Sequence, residues 1–238
     1  MRSGQQVGVV IPALNEEEAI GKVISEIPDW VDKIIVVDNG SVDRTALHAR
    51  AAGAKVVRED EPGYGAACLA GLAALPPVDV IVFLDGDYSD YPEDMEALVA
   101  PIIGGDYDLV IGSRVLGNPE RGSLTPVQVF GNWLATRLIR MFWGVKFTDL
   151  GPFRAISRNA LNAIGMADRN YGWTVEMQVK AAKAGLRCME IPVRYRRRIG
   201  SSKVSGTVQG SVKAGVKILS VIAWQALAGA TKRPATSN

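Results

Sequence analysis

The stretch "DVIVFLDGDYSDYPED", residues 79–94, decides the fold. A β-branched apolar run stops on Asp85 and, with only Gly86 between, Asp87. Carboxylates this close raise each other's pKa unless a positive charge sits between them. A buried strand that ends this way either leaves the pair to water on a loop or uses it to hold a cation. Hard divalent ions such as Mg²⁺ or Mn²⁺ accept such oxygens and bridge diphosphates. A D-x-D triplet alone is a weak motif, so its place in the chain carries the weight.

Outward from this stretch the same unit repeats. "VGVVIP" (7–12), "KIIVVD" (33–38), "AKVV" (54–57) and "YDLVIGS" (107–113) read as buried parallel strands. Between them fall amphipathic stretches, with helices expected at 42–52, 64–75 and 92–103. In "NEEEAIGKVISEI" Asn15 is a plausible N-cap, followed by acids that suit a helix start. Strand and helix alternating in this way predict an α/β fold, a mostly parallel sheet with helices on both faces. Ligands of such sheets bind at the carboxyl ends of strands. Asp38, Asp85 and Ser113 all fall there. The acidic pair therefore reads as a metal and diphosphate site, on the fourth strand.

Beyond about residue 118 the alternation stops. A Gly/Pro-rich joint leads to an amphipathic segment at 126–143, "KFTDLGPFRAIS", a helix near 173–184, the strand-like "RCMEIPVRY", a basic loop and a last helix from about 207 to 228. The expected organisation is one domain over 1–230, with a nucleotide-binding half (1–117), an acceptor-side half (118–230) and a disordered tail (231–238).

Other motifs carry chemistry beside duller readings. In "VVDNGSVDRT" (36–45) Asp38 can accept from a nucleobase or a ribose hydroxyl, while Ser41 or Asp43 caps the next helix. "PGYGAACLAG" (62–71) matches a dinucleotide fingerprint poorly, since Cys68 takes the third glycine's place; a tight turn that lets a helix pack near nucleotide fits better. "RYRRRIGSSKVSG" (194–206) concentrates Arg194, Arg196, Arg197, Arg198 and Lys203. Such a run is usually solvated, yet with Gly200 and two serines it can fold over a phosphate as a lid. His48, the one histidine, sits alone on an expected helix and reads as a surface or packing residue, so triad hydrolysis is not expected.

Taken together the motifs resemble family 2 glycosyltransferases of the GT-A fold, in the branch of dolichol-phosphate mannose and glucose synthases. "VIPALNEEEAI", "VVDNGSVDRT", "GYGAACLAG", "FLDGDYSDYPED", "IGSR", "TDLGPFRAI", "YGWTVEMQVKA" with "EIPVRY", and "GSSKVSG" carry the resemblance from residue 9 to about 206. It implies a Rossmann-like sheet with a C-terminal acceptor-side region, and an inverting, metal-dependent transfer of sugar from a nucleoside-diphosphate sugar (UDP- or GDP-linked). Pro12, Ala13, Asn15, Glu16, Asp38 and Gly65 would bind the nucleotide. Asp85 and Asp87 would carry the metal, Mg²⁺ or Mn²⁺. Arg114 would reach toward donor or acceptor phosphate, and Asp149, Arg154 and Arg198 would shape the sugar and acceptor pocket. Glu176 would stand near the acceptor as the candidate base for a hydroxyl, and Lys203 would belong to the phosphate lid. The implied acceptor is a polyprenyl phosphate; a soluble hydroxyl acceptor, or a non-catalytic nucleotide-sugar binding module, are the alternatives. "LGPFR" departs from the "SGFR" type common among mannose synthases.

The bulk composition agrees with an ordinary soluble domain. The 238 residues are 47% apolar and 22% charged, with a formal net charge of +2. Nucleic acid is not the expected partner, because the basic run holds Tyr195 alone for base stacking. Cys68 and Cys188 are expected as reduced thiols. The N-terminus runs into a strand with no room for a signal peptide, and the tract 218–231 is short for a bilayer span. A cytoplasmic protein is expected; the segment 126–147 reads either as a peripheral contact at the inner face of the membrane or, equally, as a helix packed on the sheet. Phe130, Trp133, Leu134, Leu138, Met141 and Phe142 line up there at helical spacing beside Arg137, Arg140 and Lys146. A homo-oligomer remains open.

Overall fold

The computed structural model describes residues 2–200 and 208–230, with side chains of the final helix described over 213–227. Lys203 and the tail 231–238 lie outside the described residues. Strands β1 (Val7–Ala13), β2 (Lys33–Asp38), β3 (Lys55–Arg58), β4 (Val80–Phe83), β5 (Leu109–Ser113), β6 (Arg154–Ser157) and β7 (Cys188–Pro192) form one sheet in the order β3-β2-β1-β4-β6-β5-β7. β3, β2, β1 and β4 pair in parallel, as do β5 and β7. β6 runs antiparallel to both its neighbours, β4 and β5.

The central strands are apolar on both faces because both faces are covered. Along β4, Ile81 and Phe83 join one core while Val80 and Val82, with Leu84 beyond, join the other. The first core lies under α3 (Tyr64–Ala74), α5 (Pro126–Trp143), α6 (Arg158–Ile164), α7 (Trp173–Ala184) and α8 (Val208–Ala230). Phe83 meets Trp173 of α7 edge to face in this layer, with ring centroids 5.8 Å apart. The second lies under α1 (Ile20–Ser25), α2 (Thr45–Ala51) and α4 (Met95–Ile103), the last entered through a 3-10 turn at Pro92–Asp94.

Helix α5 spans the expected 126–143. Thr125 and Gln128 form a capping box, Pro126 opens the first turn, and Gly144 closes the helix at φ 73°. Two expectations are corrected. Helix α1 begins only at Ile20, and Asn15 is not its N-cap. Asn15 instead takes φ 53°, donates its amide to Ser41 Oγ (2.9 Å) and accepts from the Val42 amide through Oδ1 (2.9 Å). The acids after it form a turn, in which the Ala19 and Ile20 amides return to the Glu16 carbonyl. Residues 154–164 hold a strand and a helix, elements to which the sequence pattern had been given no assignment.

Candidate active site

The chain leaves β4 into the turn that carries the acidic residues. Tyr64, the first residue of α3, donates its phenol to Asp85 Oδ1 at 3.0 Å. Asp87 is 2% exposed; its Oδ1 accepts from the Ser89 amide (2.9 Å) and hydroxyl (2.5 Å). Asp87 Oδ2 accepts no hydrogen bond of normal geometry and lies against the Arg198 guanidinium. Asp90, 1% exposed, accepts the Asp85 amide at 3.4 Å through Oδ2, and its Oδ1 has no hydrogen-bond partner among the described residues.

The crowding has its electrostatic consequence. Burial, then the neighbouring Asp85, pushes the Asp90 carboxyl up to about 7. Burial also raises Asp85, against the opposing pull of Arg198. A cation is therefore favoured in this turn, and hard carboxylate oxygens on Asp85 and Asp87 suit Mg²⁺ or Mn²⁺. Among the described residues no three acids, cysteines or histidines converge as a complete metal cage. An ion held by these two carboxylates would leave coordination positions open to phosphate oxygens and water.

The turn is stapled from outside by a residue expected in the lid. Arg196 stacks over the rings of Tyr88 and Tyr91, with its guanidinium carbon 3.2 and 4.2 Å from their centroids. It donates to the Tyr88 carbonyl (2.6 Å) and pairs with Glu26 (2.6 Å). Tyr88 takes φ 68°, a conformation costly for a bulky residue unless its surroundings enforce it. The basic run is thus divided by its partners. Arg194 pairs with Glu93 and Asp94, Arg196 serves the turn, and Arg197 and Arg198 line the cavity. Among the described residues of the run, only the last two line the cavity.

That cavity, of about 890 Å³, opens over the carboxyl ends of β1, β4 and β5. Pro12, Ala13, Glu16, Asp85, Asp87 and Arg114 lie on its wall. Asn15, tied to Ser41 and Val42, does not, and neither does Asp38. Its Oδ1 accepts from the Ser41 amide (2.9 Å) and its Oδ2 from Arg58 (2.8 Å). Burial raises this carboxyl, but the bonds from Ser41 and Arg58 outweigh it and leave it below the usual value. The neighbouring Asn39 takes the wall position instead, its amide held by the Glu59 and Glu61 carbonyls and its Oδ1 by the Gly63 amide.

On the acceptor side Arg114 meets Asp149 in a two-pronged pair, Nε to Oδ2 at 2.8 Å and Nη2 to Oδ1 at 2.7 Å. Burial opposes the Arg114 charge, and Asp149 more than restores it. The Tyr195 ring lies 5.1 Å from the guanidinium. Asp149 is wholly buried and acts by holding Arg114, not as a wall residue. Arg154 is likewise buried beneath the cavity. It donates to the Leu150, Gly151 and Thr174 carbonyls, and burial pushes its pKa down to about 10.

Sequence reasoning missed the supports of this loop. Glu190 of β7 accepts the Thr148 and Asp149 amides at 2.8–3.0 Å. Asn132 of α5 donates to the Thr148 carbonyl and accepts from the Leu150 amide. The signal for Glu190 was a lone acid inside the strand "EIPV"; Asn132 gave none beyond being polar in an apolar helix.

Glu176 does not reach the cavity. Its carboxylate accepts the Ala167 and Asp168 amides (3.1 and 2.8 Å) and pairs with Lys180 (2.8 Å). It shapes the loop 167–170, which Asp168 also secures by accepting the Asn170 and Gly172 amides and pairing with Lys217 of α8. Gly65 is buried against that loop: a Cβ on Gly65 would stand 2.0 Å from the Asp168 carbonyl oxygen, and one on Gly63 2.1 Å from that of Arg169. The Gly65 and Ala66 amides donate to the Asn170 and Arg169 carbonyls. The G-x-G therefore joins α3 to the acceptor side by backbone contact.

Helices α5 and α8 add apolar lining to the cavity, Val127, Phe130 and Leu134 from the first and Ala214, Ile218 and Leu219 from the second, beside Gln128 and Asn132.

Residues 8–165 match the family model for glycosyl transferase family 2. The chain belongs to this family. An uncharacterised glycosyltransferase of Mycobacterium tuberculosis is 40% identical over 223 residues, 92% of this chain and 99% of the relative. A dolichyl-phosphate hexose transferase of Haloferax volcanii is 32% identical, covering 89% of this chain and 93% of the relative. An undecaprenyl-phosphate mannosyltransferase of Micrococcus luteus is 29% identical over 89% and 92%. Among solved structures, glucosyl-3-phosphoglycerate synthase from M. tuberculosis in complex with Mn²⁺, UDP and glucosyl-3-phosphoglycerate superposes with a TM-score of 0.75. It is 27% identical, covering 94% of this chain and 81% of that one. This glycosyltransferase thus has the GT-A architecture that the D-x-D strand foretold.

Proposed function

We propose that this glycosyltransferase moves a sugar from a nucleoside-diphosphate sugar to a polyprenyl phosphate, inverting the anomeric centre. The observation that carries the reading is the continuity of the cavity. One wall joins Asp85, Asp87, Arg114 and Arg198 to the apolar side chains of Val127, Phe130 and Leu134 on α5 and Ile218 and Leu219 on α8. A phosphate head and an isoprenoid tail match that lining. Two relatives act on such lipids by name, as noted above.

A divalent cation held by Asp85 and Asp87, Mg²⁺ or Mn²⁺, supplies charge neutralisation for the departing diphosphate. The chain's own residues do the rest. Arg114, fixed by Asp149, and Arg198 present fork-shaped donors to phosphate oxygens. Lys203, outside the described residues, is assigned to the same lid on sequence grounds. An acceptor phosphate arrives already anionic and needs no strong base. The full engagement of Glu176 by two amides and Lys180 agrees with that.

The lipid would be met at the membrane surface. Phe130, Trp133, Met141 and Phe142 of α5 and Val216, Trp224 and Leu227 of α8 are exposed, beside Arg137, Arg140, Lys146 and Lys213. An apolar face with a basic rim suits an anionic interface. No described helix is long and apolar enough to cross a membrane; the contact proposed for this exposed face is peripheral, at the cytoplasmic side. A soluble phosphorylated acceptor is the second reading, supported by the likeness to glucosyl-3-phosphoglycerate synthase. Incubation with labelled UDP- and GDP-sugars and Mn²⁺, with either undecaprenyl phosphate or 3-phosphoglycerate, separates the two. Label that partitions into organic solvent supports the lipid acceptor. Label found only in the aqueous product overturns it.

A further inference from the structure

Tyr64 was singled out by none of the site motifs, yet its phenol reaches the first acid of the D-x-D pair. The donor–acceptor distance to Asp85 Oδ1 is 3.0 Å, and the tyrosine lies on the cavity wall. Its backbone is unusually constrained. Gly63 and Gly65 on either side approach the Arg169 and Asp168 carbonyls too closely to admit a Cβ. The amides of Gly65 and Ala66 donate to the Asn170 and Arg169 carbonyls, and α3 has no side-chain N-cap. The same 167–170 loop is anchored by Glu176, and by Lys217 of α8 through Asp168.

We propose that Tyr64 is a positioning residue for Asp85 that ties this carboxylate to the acceptor-side loop 167–170. A carboxylate on a single χ2 bond is free to rotate. A hydrogen bond to one oxygen sets the plane in which the other can bind. With the Asp85 amide held by Asp90 and Oδ1 held by Tyr64, the group is fixed at both ends. Because Tyr64 is itself locked to the loop, a displacement of that loop would turn the Asp85 carboxylate. Loop and metal site are therefore coupled through one phenol, with no contact between an acceptor and the ion. Partners of this outer kind orient metal-binding groups and affect affinity strongly. The inference rests on the reading of Asp85 and Asp87 as the metal pair.

The test is direct Mn²⁺ binding in the presence of UDP, followed by electron paramagnetic resonance of the free ion, with UDP binding in EDTA as the control for folding. Tyr64→Phe keeps the ring and is expected to weaken Mn²⁺ binding roughly tenfold, leaving UDP affinity in EDTA unchanged. Turnover of the variant should recover as Mn²⁺ is raised, so the defect lies in the metal requirement and not in kcat. Gly65→Ala displaces the loop without touching a ligand and should show the same loss of Mn²⁺ affinity. Wild-type protein that takes up no Mn²⁺ would overturn the metal reading and this inference with it. Wild-type binding matched by equal or tighter binding in Tyr64→Phe would overturn the inference alone.

Discussion

Arg198 lies against the buried Asp87 carboxylate, so a guanidinium neutralises in the free protein an acid that a divalent ion would otherwise meet. On the proposed metal assignment the two cations would compete for one carboxylate. Arg198→Ala is expected to bind Mn²⁺ several-fold more tightly without nucleotide, yet to turn over about tenfold more slowly, because a phosphate donor is lost. Calorimetric Mn²⁺ titration and a steady-state assay check the two halves separately. Unchanged metal affinity would show that the pair does not compete.

Asp87→Asn and Asp85→Ala should each reduce transfer by at least about a hundredfold, the scale of losing a preorganised electrostatic stabiliser. Chelation of the wild-type protein should do the same, reversibly. Near-normal turnover after complete chelation would remove the metal from the chemistry.

Glu176→Gln separates a base from a support. Its carboxylate is consumed by the Ala167 and Asp168 amides and Lys180, so the substitution should cost about 1–3 kcal/mol of stability. The pH dependence of kcat/KM should keep its shape, since no titrating base is removed. Loss of one limb of that profile would restore Glu176 as the base.

Asp90 gives a pH dependence whose sign follows from burial. Its carboxyl titrates near 3.8 when unperturbed and about 7 in the fold. Across that window the folded protein holds a proton that the unfolded chain has released. Stability of the metal-free protein therefore falls as pH rises from about 4 to 7, and the loss is complete above. Asp90→Asn lacks this acid, so its Tm in EDTA should fall less between pH 5 and pH 8 than that of the wild type. The raised Asp85 contributes the same sign and leaves a residual slope. Parallel melting curves across pH would show that Asp90 does not titrate in that range.

Much of the architecture was legible because burial on both faces writes continuous apolar strands, and β1, β2, β4 and β5 were read from these runs. The four-residue β6 was not. "RAIS" is short and opens on Arg154, whose buried charge is satisfied by carbonyls that only the folded loop supplies. The site divides in the same way. Asp85, Asp87 and Arg114 follow strands directly, so their position along the chain announced their place. Asp38, Asp149, Arg154 and Glu176 were recognised as important but placed on the wall, when each instead holds a neighbour. Whether a polar side chain faces ligand or backbone depends on tertiary partners that no local pattern records. Glu190 and Tyr64 act entirely through such partners.

The antiparallel β6 has a consequence for engineering. It comes from the second half of the chain yet lies between β4 and β5 of the first, bonded to both. A cut near residue 117 would not release a free-standing nucleotide-binding module; it would pull a slat from the middle of the sheet and leave two raw edges facing a gap. A chimera that borrows its acceptor half from a relative must therefore import that relative's inserted strand, and with it the side chains that strand lodges in both cores. Grafting the segments around α5 and α8 onto an otherwise intact chain avoids the difficulty, since neither helix interrupts the ladder.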